Sequence, residues 1–202
     1  METIVIRPGR PEDAADFSRL LLISVPRFLP AVYGTEVGRL MERLFPHRQH
    51  FFSYEHTQFI ELDGRLAGMT LTYNHAAKTA GRTVFGLLLA RYMGLGLLRH
   101  YRQLTKIEPL LGAIESGEYY ASNSALYPEF RGRGLGRRLF AVAEQNARRE
   151  GCRRLVCEAE SDNATAIGLR RKLGFRIERS LQITDLAGEN FEFARLVKDL
   201  DK

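Results

Sequence analysis

The chain alternates between stretches whose apolar residues recur at every second position and stretches where they recur every three or four, the signatures of strands and helices. "ETIVIRP" (residues 2–8) reads as a first strand. Pro11, Glu12 and Asp13 then open a helix carrying "FSRLLLISV", because proline and acids suit a first turn. "EVGRLMERLF" predicts a second helix, which Pro46 stops. "TQFIELDGRLAGMTLTY" holds two strand-like runs joined by Asp63-Gly64, the dipeptide best suited to a tight hairpin. Residues 74–117 follow as glycine-punctuated helical patterns, among them "LLRHYRQLTKIEPLLGAI". "EYYASNSALY" alternates as a strand, and "LGRRLFAVAEQNARRE" predicts a helix with Leu135, Leu139, Val142 and Ala143 on one face. "RRLVCEAE" is a strand, "NATAIGLRRKL" a short helix, and "FRIERSLQI" and "FEFARLVKDL" are two closing strands.

Hairpin and crossover connections in one chain predict a mixed α/β (α+β) sheet, with the 74–117 insertion between its third and fourth strands. A length of 202 residues suits one unit. Hydrophobic residues at 45% and charged residues at 27% are ordinary for a soluble protein with a sizeable core. Cys152 and Cys157 lie too close to staple a fold and carry no metal spacing, so they read as free thiols in a reducing compartment. The N-terminus lacks the order of a signal peptide. "VFGLLLARYMGLGLL" is shorter than the ~20 residues that span a bilayer and is broken by Arg91, so it reads as a packed or interfacial helix. Together these predict a cytoplasmic protein with no membrane partner.

The net charge of +6 changes the picture only locally. Eight arginines fall between Arg131 and Arg154, against Glu144 and Glu150 alone. No zinc-finger spacing or RNA-binding aromatic signature accompanies them, so nucleic acid is not the expected partner. Arg148, Arg149, Arg153 and Arg154 read as a solvated helix face. The others surround glycines in "YPEFRGRGLGRRLF", where a strand feeds a helix. Such a corner leaves first-turn N–H groups unpaired at the positive end of the helix dipole, and glycine lets an anion approach the backbone closely. With Arg131, Arg133 and Arg137 as charged donors, the corner is fit to grip a diphosphate. A Walker loop would need GK[ST], which is absent. The dinucleotide pattern fails in both registers, ending on Arg137 or Leu139 instead of glycine.

"RGRGLG" (Arg131 to Gly136) resembles the R/Q-x-x-G-x-G/A signature of the GNAT superfamily of N-acetyltransferases. "NATAIGLRRKLGF" (Asn163 to Phe175) resembles its second block, in order and at the family's spacing. The resemblance implies a GNAT-like domain over residues 1–202, with about seven strands in a mixed sheet and helices on both faces. It implies acetyl-CoA as co-substrate, no metal, and a small-molecule amine or peptide as acceptor. The backbone of Arg131, Gly132, Arg133, Gly134, Leu135, Gly136 and Arg137 would hold the pyrophosphate. Main-chain groups of Ala125, Leu126 and Tyr127 would meet the pantetheine arm in a V-shaped opening made by a strand bulge, and Asn163 and Arg170 would contact the coenzyme. Asn163 also reads as a helix N-cap.

Acyl transfer to nitrogen needs a neutral amine, and an alkyl amine has a reference pKa near 10.4, so a base is expected. Glu118 shares a strand face with Tyr120, Ser122 and Ser124 and is the candidate, with Glu158 next in line. Many relatives carry a tyrosine that protonates the departing thiolate where this chain has Arg170; Tyr127 or Tyr120 is the candidate substitute. That departure keeps a second function open, an acyl-CoA-binding sensor module without turnover. His47, His50 and His56 lack the acid or cysteine that would complete a metal set. Phe51, Phe52 and Tyr54 read as core or as lining of an acceptor pocket. The insertion is expected to pack over the acceptor side or against a second subunit, as in a homodimer.

Overall fold

A computed structural model describes residues 2–107 and 112–200. Seven strands form one sheet: β1 (Ile4–Pro8), β2 (Thr57–Leu62), β3 (Arg65–Asn74), β4 (Glu118–Leu126), β5 (Arg154–Glu160), β6 (Arg176–Leu186) and β7 (Glu189–Asp199). Their order is β1-β2-β3-β4-β5-β7-β6, with every pairing antiparallel except β4 with β5. Asp63 and Gly64 turn β2 into β3 at φ values of 51° and 73°, the two positive angles that a two-residue hairpin loop needs. The mixed sheet is therefore as the alternating patterns predict.

Among the described residues seven α-helices accompany it: α1 (Ala14–Ser24), α2 (Phe28–Tyr33), α3 (Val37–Leu44), α4 (His75–Met93), α5 (Gly96–Ile107), α6 (Leu135–Arg149) and α7 (Ala164–Lys172). The short α2 has no counterpart in the sequence reading, because six residues are too few to establish a helical period. The insertion is helical where it is described, as α4 and α5; its residues 108–111 lie outside the described residues. Asn74 starts α4 as an N-cap, its side chain accepting from the Ala77 N–H at 2.7 Å. In α6 the core face is Leu135, Leu139, Phe140, Ala143 and Ala147; Val142 is only half-buried, because Phe140 takes the inward position beside it.

Strand alternation divides the core between two sheet faces. Phe59, Met69, Leu71, Tyr73, Tyr120, Val156 and Val197 face one side, where α1 to α5 pack. Tyr119, Ala121, Leu155, Cys157 and Leu196 face the other, under α6 and α7. Phe51 and Phe52 join Phe85 of α4 and also line a cavity, so they serve both core and lining, whereas Tyr54 packs edge-on to Phe45 against the core. His50 is fully buried, with its ring nitrogens facing the Leu44 carbonyl and the Phe52 N–H, and burial lowers its pKa to about 4. His47 contacts the Tyr92 hydroxyl. Among the described residues, no helix is long and apolar enough to cross a membrane.

Two irregularities at the centre of the sheet position everything that follows. Between β3 and β4 the register skips Ser122, with Leu71 opposite Asn123 and Thr72 opposite Ala121, which is a β-bulge. Between β4 and β5 only three residue pairs form, Glu118 with Arg154, Tyr119 with Leu155 and Tyr120 with Val156. Beyond them the parallel partners part, while β5 continues against β7 as far as Glu160.

Candidate active site

The glycine corner lies on the α6–α7 face. Gly132 and Gly134 take φ values of 78° and 75°, and Gly134 is the left-handed N-cap of α6. Gly132 and Gly134 have open space where a Cβ would stand. Among the described residues, no main-chain N–H from residue 132 to 136 donates to a protein acceptor. Arg131, Arg133 and Arg137 are exposed around this row of donors. Arg131 Nε donates to the Leu126 carbonyl at 3.3 Å, and Arg133 pairs with Glu2 at 2.9 Å. Free N–H groups, a helix N-terminus and guanidinium groups suit the diphosphate of acetyl-CoA.

The glycines are not equivalent. Gly136 has no positive φ, and a Cβ there would lie 3.2 Å from Leu169 Cδ2, so it permits α6 and α7 to approach. At Gly134, the N-cap of α6 with open space at its Cβ position, an added side chain would meet no protein atom and instead project into that space. Gly134→Val should weaken acetyl-CoA binding at least tenfold (about 1.4 kcal/mol) in a folded protein. Calorimetric titration with unchanged affinity would remove the corner from the donor site.

The remaining expected donor contacts are mixed. Ala125 and Leu126 lie on the part of β4 that has lost β5 as neighbour, so that edge has no strand partner. Tyr127 differs: its N–H donates to the Ala67 carbonyl at 2.9 Å and is not free. Its hydroxyl donates to Asp16 Oδ1 of α1 at 2.5 Å, and burial with that carboxylate pushes its pKa up to about 12. A phenol so committed is a poor proton donor to a thiolate. Asn163 does cap α7, accepting from the Ala166 N–H at 3.0 Å. Arg170 neither faces solvent nor meets a carboxylate: it is buried between α7, β5 and α6. Its Nε donates to Cys157 Sγ at 3.3 Å, its Nη1 to the Ala166 carbonyl at 3.0 Å, and its guanidinium lies 5.0 Å from the Phe140 ring centroid.

Glu118 is not placed as a base. Its side chain is 2% exposed, with Oε2 2.7 Å from Arg195 Nη2 and also accepting from the Glu115 N–H at 2.9 Å. Oε1 lies 3.1 Å from Arg154 Nη1, close enough for charge pairing but off the hydrogen-bonding axis. Two guanidinium groups therefore occupy this carboxylate. Arg154, expected on a solvated face, instead belongs to this cluster, together with Glu178.

The hub of the cluster is Arg195, itself 2% exposed, which donates to Glu118, to Glu158 at 3.0 Å, to Glu178 at 3.1 Å and to the Ala113 carbonyl at 2.9 Å. Sequence reasoning passed over it. The signal was available: in "FEFARLV" Arg195 shares alternate-residue parity with Phe191, Phe193 and Val197, so a charge had to lie on a buried face and needed acids beside it. Glu118, Glu158 and Glu178 surround the two guanidinium groups of Arg195 and Arg154, with Asp199 3.7 Å from Arg154 as a fourth carboxylate at the edge.

Glu158 differs from Glu118 in reaching a cavity, although both of its oxygens are also hydrogen-bonded, Oε1 to Arg195 and Oε2 to Tyr120. It lines a cavity of about 510 Å³ between the sheet and α2, α4 and α5. Its second oxygen accepts from the Tyr120 hydroxyl. Burial raises its pKa above the ordinary carboxylate value, against the opposing pull of Tyr120 and Arg195. Tyr120, Ser122, Asn123, Thr105, Lys78 and Arg82 supply the other polar lining, and most of the rest is apolar, much of it aromatic. Lys78 donates to the Gly112 carbonyl, and burial lowers its pKa. The parting of β4 and β5 therefore lies between a cavity on one face of the sheet and the glycine corner on the other.

Comparison with known proteins gives this arrangement a context. A model of the "Acetyltransferase (GNAT) family" matches residues 28–175. The L-methionine sulfoximine/L-methionine sulfone acetyltransferase of Pseudomonas aeruginosa PAO1 is 35% identical over 77 residues, 38% of this chain and 41% of that protein. The match thus spans less than half the length of that relative. Among solved structures, an N-acetyltransferase from Staphylococcus aureus Mu50 has a TM-score of 0.72 at 21% identity, covering 96% of this chain and 100% of that one. The Salmonella typhimurium protein yncA, solved with its cofactor acetyl-CoA, has a TM-score of 0.57 at 16% identity, covering 99% and 95%. At such identities the structural likeness bears on the fold.

Proposed function

The chain belongs to the acetyltransferase (GNAT) family, and on that premise we propose that it moves an acetyl group from acetyl-CoA to a primary amine seated in the 510 Å³ cavity, by direct transfer in a ternary complex. The observation that carries this reading is Glu158 at the polar end of an apolar cavity, beside the opening between β4 and β5. The acceptor is accordingly a small molecule whose amine is attached to an apolar body, aromatic or branched. The small-molecule acceptors in the name of the Pseudomonas relative agree with the size of the cavity.

Acetyl-CoA supplies an activated carbonyl carbon and a thiolate leaving group. The amine nitrogen attacks that carbon while its proton passes to Glu158, directly or through water. The bond from carbon to sulfur breaks, and the electron pair goes to sulfur. Tyr120 orients Glu158 by donating to it. Arg170 adds positive charge near the opening, where a thiolate with a reference pKa of about 8.5 needs little protonation to depart. Ala125 and Leu126, on the stretch of β4 that lacks β5 as a neighbour, would offer main-chain groups to the donor arm.

Thiol release should be followed with acetyl-CoA and a panel of arylalkylamines, alkylamines, apolar amino acids, spermidine and peptides. Amines with apolar bodies should exceed spermidine in kcat/KM by about tenfold or more, the effect of a methylene or two in a matched pocket. Preference for spermidine or for a peptide N-terminus would overturn the acceptor assignment. Arg170 and the commitment of Tyr127 to Asp16 favour the second reading, a binding module without turnover. Tight acetyl-CoA binding with no thiol release across the panel would establish it.

A further inference from the structure

We propose that the tip of the α4–α5 insertion docks on an anionic lipid surface, holding the mouth of the cavity against it. Large hydrophobic side chains are exposed at only a few places among the described residues, and most of them fall in one short stretch. Leu87, Leu95, Leu98 and Tyr101 are 67%, 85%, 73% and 62% exposed. Glycines at residues 94 and 96 mark the turn between α4 and α5; Leu95 lies in that turn, Leu98 and Tyr101 in the first two turns of α5, and Leu87 in the last two turns of α4. Leaving leucines in water sacrifices about 25 cal/mol for each Å² of apolar surface, so a cluster of them points to a partner that covers it.

Charge identifies the partner. From residue 64 to residue 107 the sequence has no aspartate or glutamate. Arg91, Arg99 and Arg102 are exposed beside the leucines, and among the described residues none of the three has an ion-pair partner. Isologous pairing of two copies through this tip would set cation against cation. An anionic membrane surface instead offers phosphate to the arginines and acyl chains to the leucines. Tyr101 suits the boundary, with an apolar ring and a polar end. It is also exposed while lining the cavity, so it marks the cavity mouth. Leu97 and Leu104 of α5 turn inward to the same cavity, which separates the lining face of the helix from the docking face. The proposal rests on this surface and not on acetyl transfer.

The test is co-sedimentation of the full chain with phosphatidylcholine vesicles, with and without phosphatidylglycerol. The wild-type protein should bind the anionic vesicles, bind neutral ones weakly, and lose binding as salt screens the arginines. The Leu95→Glu/Leu98→Glu double variant, changed at two exposed positions, should keep its fold and acetyl-CoA affinity and bind anionic vesicles at least tenfold less. Equal binding by the variant would overturn the proposal, assigning the attraction to the arginines around the glycine corner. So would absence of vesicle binding, whether the protein is then monomeric or forms a dimer that the variant dissolves. Because no turnover enters the measurement, failure of the enzymatic reading leaves this result interpretable.

Discussion

Glu158→Gln should lower turnover at pH 7 by about 10²–10⁴-fold, the usual worth of a general base, and leave acetyl-CoA affinity unchanged. The base acts only as the carboxylate. Because burial raises the pKa of Glu158, the acid limb of the wild-type rate profile should fall above the ordinary carboxylate range, with activity lost as pH drops through that raised value. The glutamine variant keeps the shape and the acceptor for Tyr120 but has no group to titrate. Its rate should climb only as the free amine becomes abundant, so part of the loss should be recovered at high pH. A pH–rate comparison of the two proteins decides the matter: a variant matching wild type at pH 7 would place the base elsewhere. Glu118→Gln is the control. Its carboxylate is occupied by Arg195 and Arg154, so the change should lower thermal stability without altering the pH profile.

The largest effect on stability is expected at Arg195. Arg195→Met removes the cation shared by Glu118, Glu158 and Glu178, two of which are nearly inaccessible to solvent. Breaking a buried ion network from one side costs about 3–5 kcal/mol, because uncompensated charge stays in the interior. For a chain of this length that corresponds to a fall in Tm of roughly 6–20 °C. Adding Glu118→Gln should return part of the loss, since neutralising an orphaned acid relieves the penalty that the first change created. Calorimetry showing less than about 1 kcal/mol lost in the single variant would mean that solvent reaches these acids.

How much was legible in advance follows from which signals are local. The hairpin at Asp63-Gly64 was readable because two adjacent residues determine it. The corner around Gly134 was readable because helix termini and glycine angles are local properties. Glu118 illustrates what was not. Its parity along β4 gave the correct face of the sheet, yet parity says nothing about which guanidinium waits on that face. Arg154 comes from the next strand and Arg195 from a strand 77 residues away from Glu118, brought in by register. The commitment of the Tyr127 hydroxyl is hidden for the same reason, since its partner Asp16 is 111 residues distant. The cavity was equally unreadable, because its walls come from α2, α4, α5 and the sheet, and no single segment carries its outline.

The three residue pairs between β4 and β5 make the sheet two half-sheets sharing a short seam. Strands β1 to β4 form one half and β5 to β7 the other. Backbone pairing is sparse at that seam, and side chains reinforce it: Glu118 on the first half is bound to Arg154 and Arg195 on the second. The cluster thus works as a rivet at the closed end of a wedge. How widely the wedge opens, and how readily the halves come apart, are then governed by the same few side chains. The integrity of the sheet at its centre thus depends on side chains as well as on backbone pairing.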